Sequence, residues 1–155
     1  MVMATFFAAL TAAAWVDRKT MTIPDYFPAL IFLLAIKSPF WAEDASVYIK
    51  LLGVLSVSLP MLLLTLAVPG AFGGGDIKLM AACGAFLGWE RNLLAMFLAV
   101  LGGGGWGIWL LAGKKAGLKD QFAFGPFLCA GVMISALWGE DILRWYLSCF
   151  PGSGR

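Results

Sequence analysis

Histidine is absent from the 155 residues of this chain. That absence removes Ser-His-Asp and Cys-His nucleophilic catalysis, His-Glu-x-x-His zinc hydrolysis and histidine proton relays. Cysteine is scarce. Cys83, Cys129 and Cys149 lie far apart with no Cys-x-x-Cys spacing, so neither a zinc site nor a disulfide framework is indicated and buried free thiols are expected. Charge is scarce as well: charged residues make up 13% of the chain and the formal balance is +2. So small and dispersed a balance implies no nucleic-acid partner. A phosphate-binding loop of the Gly-x-x-x-x-Gly-Lys-Ser/Thr kind is missing too. No metal and no cofactor is called for, and carboxylates are what remains for acid-base work.

What the chain has in abundance is apolar side chains, 61% of the total, with a mean hydropathy of +0.88. These values lie outside the soluble range and imply an all-α, polytopic membrane protein whose partner is the lipid bilayer. The length suits a single membrane-embedded domain over residues 1–155. Hydrophobic runs predict about six transmembrane helices near 2–16, 26–41, 47–68, 77–89, 93–112 and 122–139. Several fall short of the roughly 20 residues of a full span. The first run lacks a basic segment before it, while Arg18 and Lys19 follow it, so it is expected to be a retained helix rather than a signal peptide. Pro60 is expected to kink the third helix. Gly84, Gly88, Gly102 to Gly105 and Gly107 are expected to serve close helix packing. After Gly139, Glu140-Asp141 is expected to interrupt the last helix, with 142–150 lying in the interface and Trp145 and Tyr146 as anchors.

Two aspartates mark the ends of short runs. Asp17 closes the first, and Asp76 stands directly behind Gly73-Gly74-Gly75 at the mouth of the fourth. A carboxylate at a membrane edge is costly to desolvate and persists where it faces water, a partner or a reaction. Six crossings place Asp17, the 69–78 loop and the 113–121 loop on one face. That face holds Arg18, Lys19, Lys78, Lys114, Lys115 and Lys119, and the positive-inside bias makes it cytoplasmic. Taken singly, Asp17 reads as a helix-end residue paired with Arg18 or Lys19, and Asp76 as the N-cap of the fourth helix after a flexible glycine turn. Taken together, two carboxyls at hydrogen-bond distance cannot readily both ionise, so the pair holds one proton and is acid and base at once. Such a pair hydrolyses an amide without a metal or a covalent intermediate.

These residues resemble the GxGD intramembrane aspartyl proteases, specifically the type IV prepilin peptidases. Asp17 with Ile23-Pro24-Asp25 is similar to the family's first catalytic aspartate and the start of its next helix. Gly73-Gly74-Gly75-Asp76-Ile77-Lys78-Leu79 is similar to its GxGD-x-K-L segment, and Phe124-Gly125-Pro126-Phe127 to the Phe-Gly-Pro stretch that opens its last core helix. The resemblance covers essentially the whole chain. It implies an aspartic endopeptidase with Asp17 and Asp76 as catalytic dyad, which cuts the basic leader from type IV pilin-like precursors at the cytoplasmic face of the inner membrane. Gly73 and Gly75 are expected to shape the loop, and Lys78 to snorkel to the headgroups or bias the local field. Pro24 is expected to set the start of the second helix, and Gly125 and Pro126 that of the sixth. Many bacterial members carry an N-terminal region with paired Cys-x-x-Cys motifs and also N-methylate their product. Residues 1–155 carry no such region, so methylation is not expected, and the short form is similar to the peptidases of tight-adherence (Flp-type) pili or to archaeal-like relatives. Rival readings are a small proton-coupled transporter, or a non-catalytic assembly subunit of a pilus or secretion machine.

Overall fold

The computed structural model describes residues 1–38, 47–112 and 123–149. Among them there are six α-helices and no strand: α1 (Val2–Thr20), α2 (Tyr26–Ala35), α3 (Val47–Ala67), α4 (Gly74–Leu87), α5 (Trp89–Ala112) and α6 (Gly125–Ser148). Order and number agree with the hydrophobic pattern; several ends do not.

Helix α1 runs a full turn beyond its apolar segment. It closes only at Met21, in the left-handed region at φ 53°, whose N–H donates to the Asp17 carbonyl at 2.7 Å. Arg18 and Lys19 in that last turn favour the negative end of the helix dipole. Asp17 is therefore held in regular helix, not at a loose terminus. Helix α2 stops earlier than its run suggested. A turn through Ile36 and Lys37 leads to Ser38, whose hydroxyl donates to the Phe86 carbonyl at 2.5 Å and pins this end of α2 to the end of α4. The expected extension from 39 to 41 lies outside the described residues. Helix α3 continues across Pro60.

Helix α4 is the centre of the bundle. It packs against α2, α3, α5 and α6, while α1 packs on α2 and α6. Leu79, Met80 and the whole stretch from Ala82 to Leu87 are buried. Its 14 residues give a length of about 21 Å, shorter than a hydrocarbon core of about 30 Å. A helix sheathed in protein does not have to match the bilayer, because its neighbours and not lipid surround its ends. At the crossing with α3, Gly84 faces Gly53, and a Cβ on either would overlap the other's carbonyl oxygen. Asn92, fully buried, donates to the carbonyls of Gly53 and Met80 and to the Ser56 hydroxyl at 3.2 to 3.3 Å, tying α5 to that crossing. Gly88, at φ 90°, turns the chain directly into α5, which begins at Trp89 rather than near 93.

Two expectations about the last helices are corrected. Glu140 and Asp141 do not interrupt α6, which runs unbroken to Ser148. Glu140 is accommodated because it pairs with Arg91 of α5 at 3.1 Å and with Arg144 one turn along its own helix. Exposed Trp145 and Tyr146 thus belong to α6, not to a separate interfacial segment. The α5 glycines divide: a Cβ on Gly102 would touch Phe127 and one on Gly103 would strike Phe124, whereas Gly104 and Gly105 face open space.

Three helices contain stretches long and apolar enough to cross a membrane: Lys50–Ala67, Trp89–Trp109 and Gly125–Tyr146; α2 is a shorter apolar helix. Their outer faces expose Leu51, Leu55, Leu59, Leu62 and Leu66 on α3, and Phe97, Leu101 and Ile108 on α5. So large an apolar exterior is stable against lipid and not against water. The chain is a multi-pass membrane protein.

Candidate active site

The ends of α1, α4 and α6 bring the sequence motifs to one place. Asp17 and Asp76 are 4% and 8% exposed and are the buried charged residues among those described. Each carboxylate is held by the backbone amide of a glycine at a helix start. The Gly125 N–H, first in α6, donates to Asp17 Oδ2 at 3.0 Å. The Gly73 N–H binds the Asp76 carboxylate. The first amides of a helix lack intrahelical partners and carry its positive dipole end, so both are good carboxylate donors.

Asp76 is not the N-cap of α4. Gly73 occupies that position, Gly74 and Gly75 form the first helical turn, and Asp76 stands third and reaches back to the cap amide, as an acidic residue does in a capping box. Gly74 and Gly75 are therefore helix, not loop, and Gly75 serves close approach. A Cβ on Gly75 would lie 2.8 Å from the Ile23 carbonyl oxygen and 2.9 Å from its Cβ, while Gly74 has nothing within 4 Å. Gly75 thus lets α4 abut the strand of chain that leads through Pro24 into α2. Gly125 answers the same need on the other side: its Cβ would sit 2.5 Å from Asp17 Oδ2 and 2.7 Å from Cγ. Pro126 follows in the first turn of α6, where its missing N–H costs nothing.

Lys78 does not snorkel freely. Its Nζ donates to both oxygens of Asp25, each at 2.8 Å, and bridges α4 to the N-cap of α2. The pair is exposed and adds little stability of its own, and it links the start of α4 to the start of α2. Lys114, Lys115, Lys119 and Asp120 lie outside the described residues.

Both aspartates sit at helix ends beyond the apolar runs, and both are shifted. Burial pushes the Asp76 carboxyl up to about 6; the nearby charge of Asp17 adds to the effect, and the Gly73 amide opposes it. Burial also raises Asp17, against the Gly125 hydrogen bond. Among the described residues, Asp76 Oδ1 is buried with no hydrogen-bond partner. A buried carboxyl oxygen without a partner, within electrostatic reach of a second carboxylate, favours the protonated form. Two neighbours carried no clear sequence signal. Cys129, fully buried one turn after Gly125, lies within electrostatic reach of both carboxylates. Phe72 touches Phe124 across the two glycine-containing starts, with ring centroids 5.8 Å apart. Among the described residues no group of three His, Cys, Asp or Glu side chains could hold a metal ion.

The model of one protein family, described as the type IV leader peptidase family, matches residues 4–108, which include both aspartates. The chain belongs to that family. Curated relatives agree. A prepilin leader peptidase/N-methyltransferase of Aeromonas hydrophila is 32% identical over 146 residues, which cover 91% of this chain and 50% of that protein. The protein of the same name from Bacillus subtilis is 30% identical over 153 residues, covering 95% of this chain and 59% of its own length. A third, from Aeromonas salmonicida, is 42% identical over 76 residues, covering 49% and 26%. The chain thus spans about half the length of the leader peptidases it matches most extensively. No solved structure gives a significant match.

Proposed function

We propose that this chain is a membrane aspartic endopeptidase that removes the basic leader from type IV prepilin-like precursors, with Asp17 and Asp76 as its catalytic dyad. The observation that carries the proposal is the burial of these two carboxylates within electrostatic reach of one another, each on a helix-start amide, in a leader peptidase family chain. One carboxyl is ionised and takes a proton from water. The other is protonated and donates to the scissile carbonyl as the hydroxide adds. The dyad then protonates the amide nitrogen and takes a proton from a hydroxyl of the tetrahedral diol as the C–N bond breaks, which releases leader and mature chain and leaves the dyad holding one proton as it began. Because the two groups titrate as a pair, the acid and base roles belong to the microstate that the substrate selects.

In this proposal residues 1–155 act as one membrane-embedded domain in the inner membrane, with the dyad at its cytoplasmic face. The basic leader is then reached from the side where it resides, and the precursor's apolar helix lies in the bilayer that surrounds α3, α5 and α6. Gly73, Gly75, Gly125, Pro24, Pro126 and Lys78 position the dyad and do not touch the reacting atoms.

The test is cleavage of a pilin-like precursor by the purified protein in detergent. Asp17→Asn and Asp76→Asn should each abolish cleavage while leaving the protein folded, a loss of at least about 1,000-fold. Cleavage that survives either substitution rejects the dyad. Proton flux into vesicles without any cleavage would instead favour a transporter.

A further inference from the structure

We infer that Phe72 and Phe124 are positioning residues that lock the two aspartates into one unit before substrate arrives. The inference rests on the peptidase reading above. Each catalytic carboxylate hangs from the amide of a glycine, Asp76 from Gly73 and Asp17 from Gly125. The residue immediately before each glycine is a phenylalanine. A peptide plane joins Phe72 to the Gly73 amide and another joins Phe124 to the Gly125 amide, so displacing either ring displaces the donor that follows it. The two rings meet at 5.8 Å with their planes inclined by 51°, within the range of favourable aromatic pairs.

Neither ring is interchangeable with a solvent-facing side chain. From Leu66 to Gly74, Phe72 is the one residue that is not exposed, and it packs against the hydrophobic core. The connection from α3 to α4 is thus anchored through this side chain, while its own backbone bonds, Val68 to Leu64 and Ala71 to Val68, are local. Phe124 in turn rests on α5: a Cβ on Gly103 would lie 2.6 and 3.0 Å from its ring, so that glycine makes the seat. The line of support runs from α5 through Phe124 to Phe72, then through the two glycine amides to the two carboxylates. Loss of the ring contact removes a direct link between the α3–α4 connection and the start of α6, and the dyad spacing loosens.

The test pairs kinetics with a measurement that does not depend on activity. In a Cys149→Ser background, Phe72→Cys with Phe124→Cys should cross-link in isolated membranes with the shortest bismethanethiosulfonate, the remaining Cys83 and Cys129 being buried. In the cleavage assay, Phe72→Ala and Phe124→Ala should each lower kcat on the order of 100-fold, the loss expected for a slight misplacement of reacting groups. KM should be little changed. Phe72→Tyr should restore activity, Phe97→Ala on the exposed face of α5 should retain it, and Phe72→Leu keeps enough bulk to secure folding if the alanine variant unfolds. The double alanine variant should be no worse than the poorer single, because both break one contact. Independent losses that multiply, full kcat in Phe72→Ala, or absence of the cross-link overturns the inference while the peptidase reading stands. A wild-type protein that cuts no precursor overturns both.

Discussion

At the scale of the residue, Asp76 is a carboxyl held where its charge is unwelcome. The unfolded chain loses this proton near its ordinary value of 3.8, the folded one near 6. Between those two pH values the native state keeps a proton that the unfolded state has released, so stability falls as pH rises through the window and is level above it. The shift corresponds to roughly 3 kcal/mol of stability absent at neutral pH. Asp76→Asn removes the charge and keeps the shape. Its melting temperature in detergent should exceed that of the wild type at about pH 8, and the advantage should shrink through pH 6 and all but vanish below about pH 4. An advantage independent of pH would mean that burial of the charge is not its source. Such a group is retained at a cost to stability, as expected of a residue kept for its chemistry.

At the scale of the element, two adjacent glycines of the same triplet have opposite obligations. Gly75 abuts the backbone and side chain of Ile23, and Gly74 faces open space, although both lie in the first turn of α4. Gly75→Ala should overpack that contact at a cost of about 1 to 3 kcal/mol and should lower cleavage by moving Asp76. Gly74→Ala should be neutral or stabilise by at most about 1 kcal/mol. Thermal unfolding of the two variants side by side, with their cleavage rates, checks this; equal effects would remove the close-approach role assigned to Gly75. The sequence marks all three glycines alike, since composition registers that a Cβ is missing but not which neighbour would have met it. The same blindness explains α6. Glu140-Asp141 reads as an interruption along the chain, but Glu140 is paired inside a continuous helix, with Arg144 of its own helix and with Arg91, which only the packing of α5 brings to it.

At the scale of the whole molecule, the ends of α1, α4 and α6 that carry Asp17, Asp76 and Gly125 lie together, while the Arg91–Glu140 pair joins the start of α5 to the later part of α6. The proposed orientation puts the dyad end in the cytoplasm. In a Cys149→Ser background, Ala71→Cys should react with an impermeant thiol reagent in inverted vesicles and be protected in right-side-out ones. Asp141→Cys should show the reverse, both native positions being exposed. The opposite labelling pattern would place the dyad on the outer side, away from a cytoplasmic leader. The central position of α4 also accounts for its length. A helix packed against four others is freed from spanning the bilayer, so α4 is absent from the helices that, among the described residues, are long and apolar enough to cross it.

The sequence by itself determined the class, the helix count and order, and the three motifs, because hydrophobic runs and their polar breaks are local properties of the chain. It also pointed to Asp17 and Asp76, since a carboxylate at the margin of an apolar run has few inexpensive explanations. What only the tertiary structure decided is how those aspartates are held. Asp17 gains the amide of a residue that follows it by most of the chain, Asp76 turns back on its own cap, Lys78 finds Asp25, and Phe72 meets Phe124. Asp76's bond is local and depends on where α4 starts, whereas the other three depend on distances between segments remote in sequence, which exist only once the helices have packed.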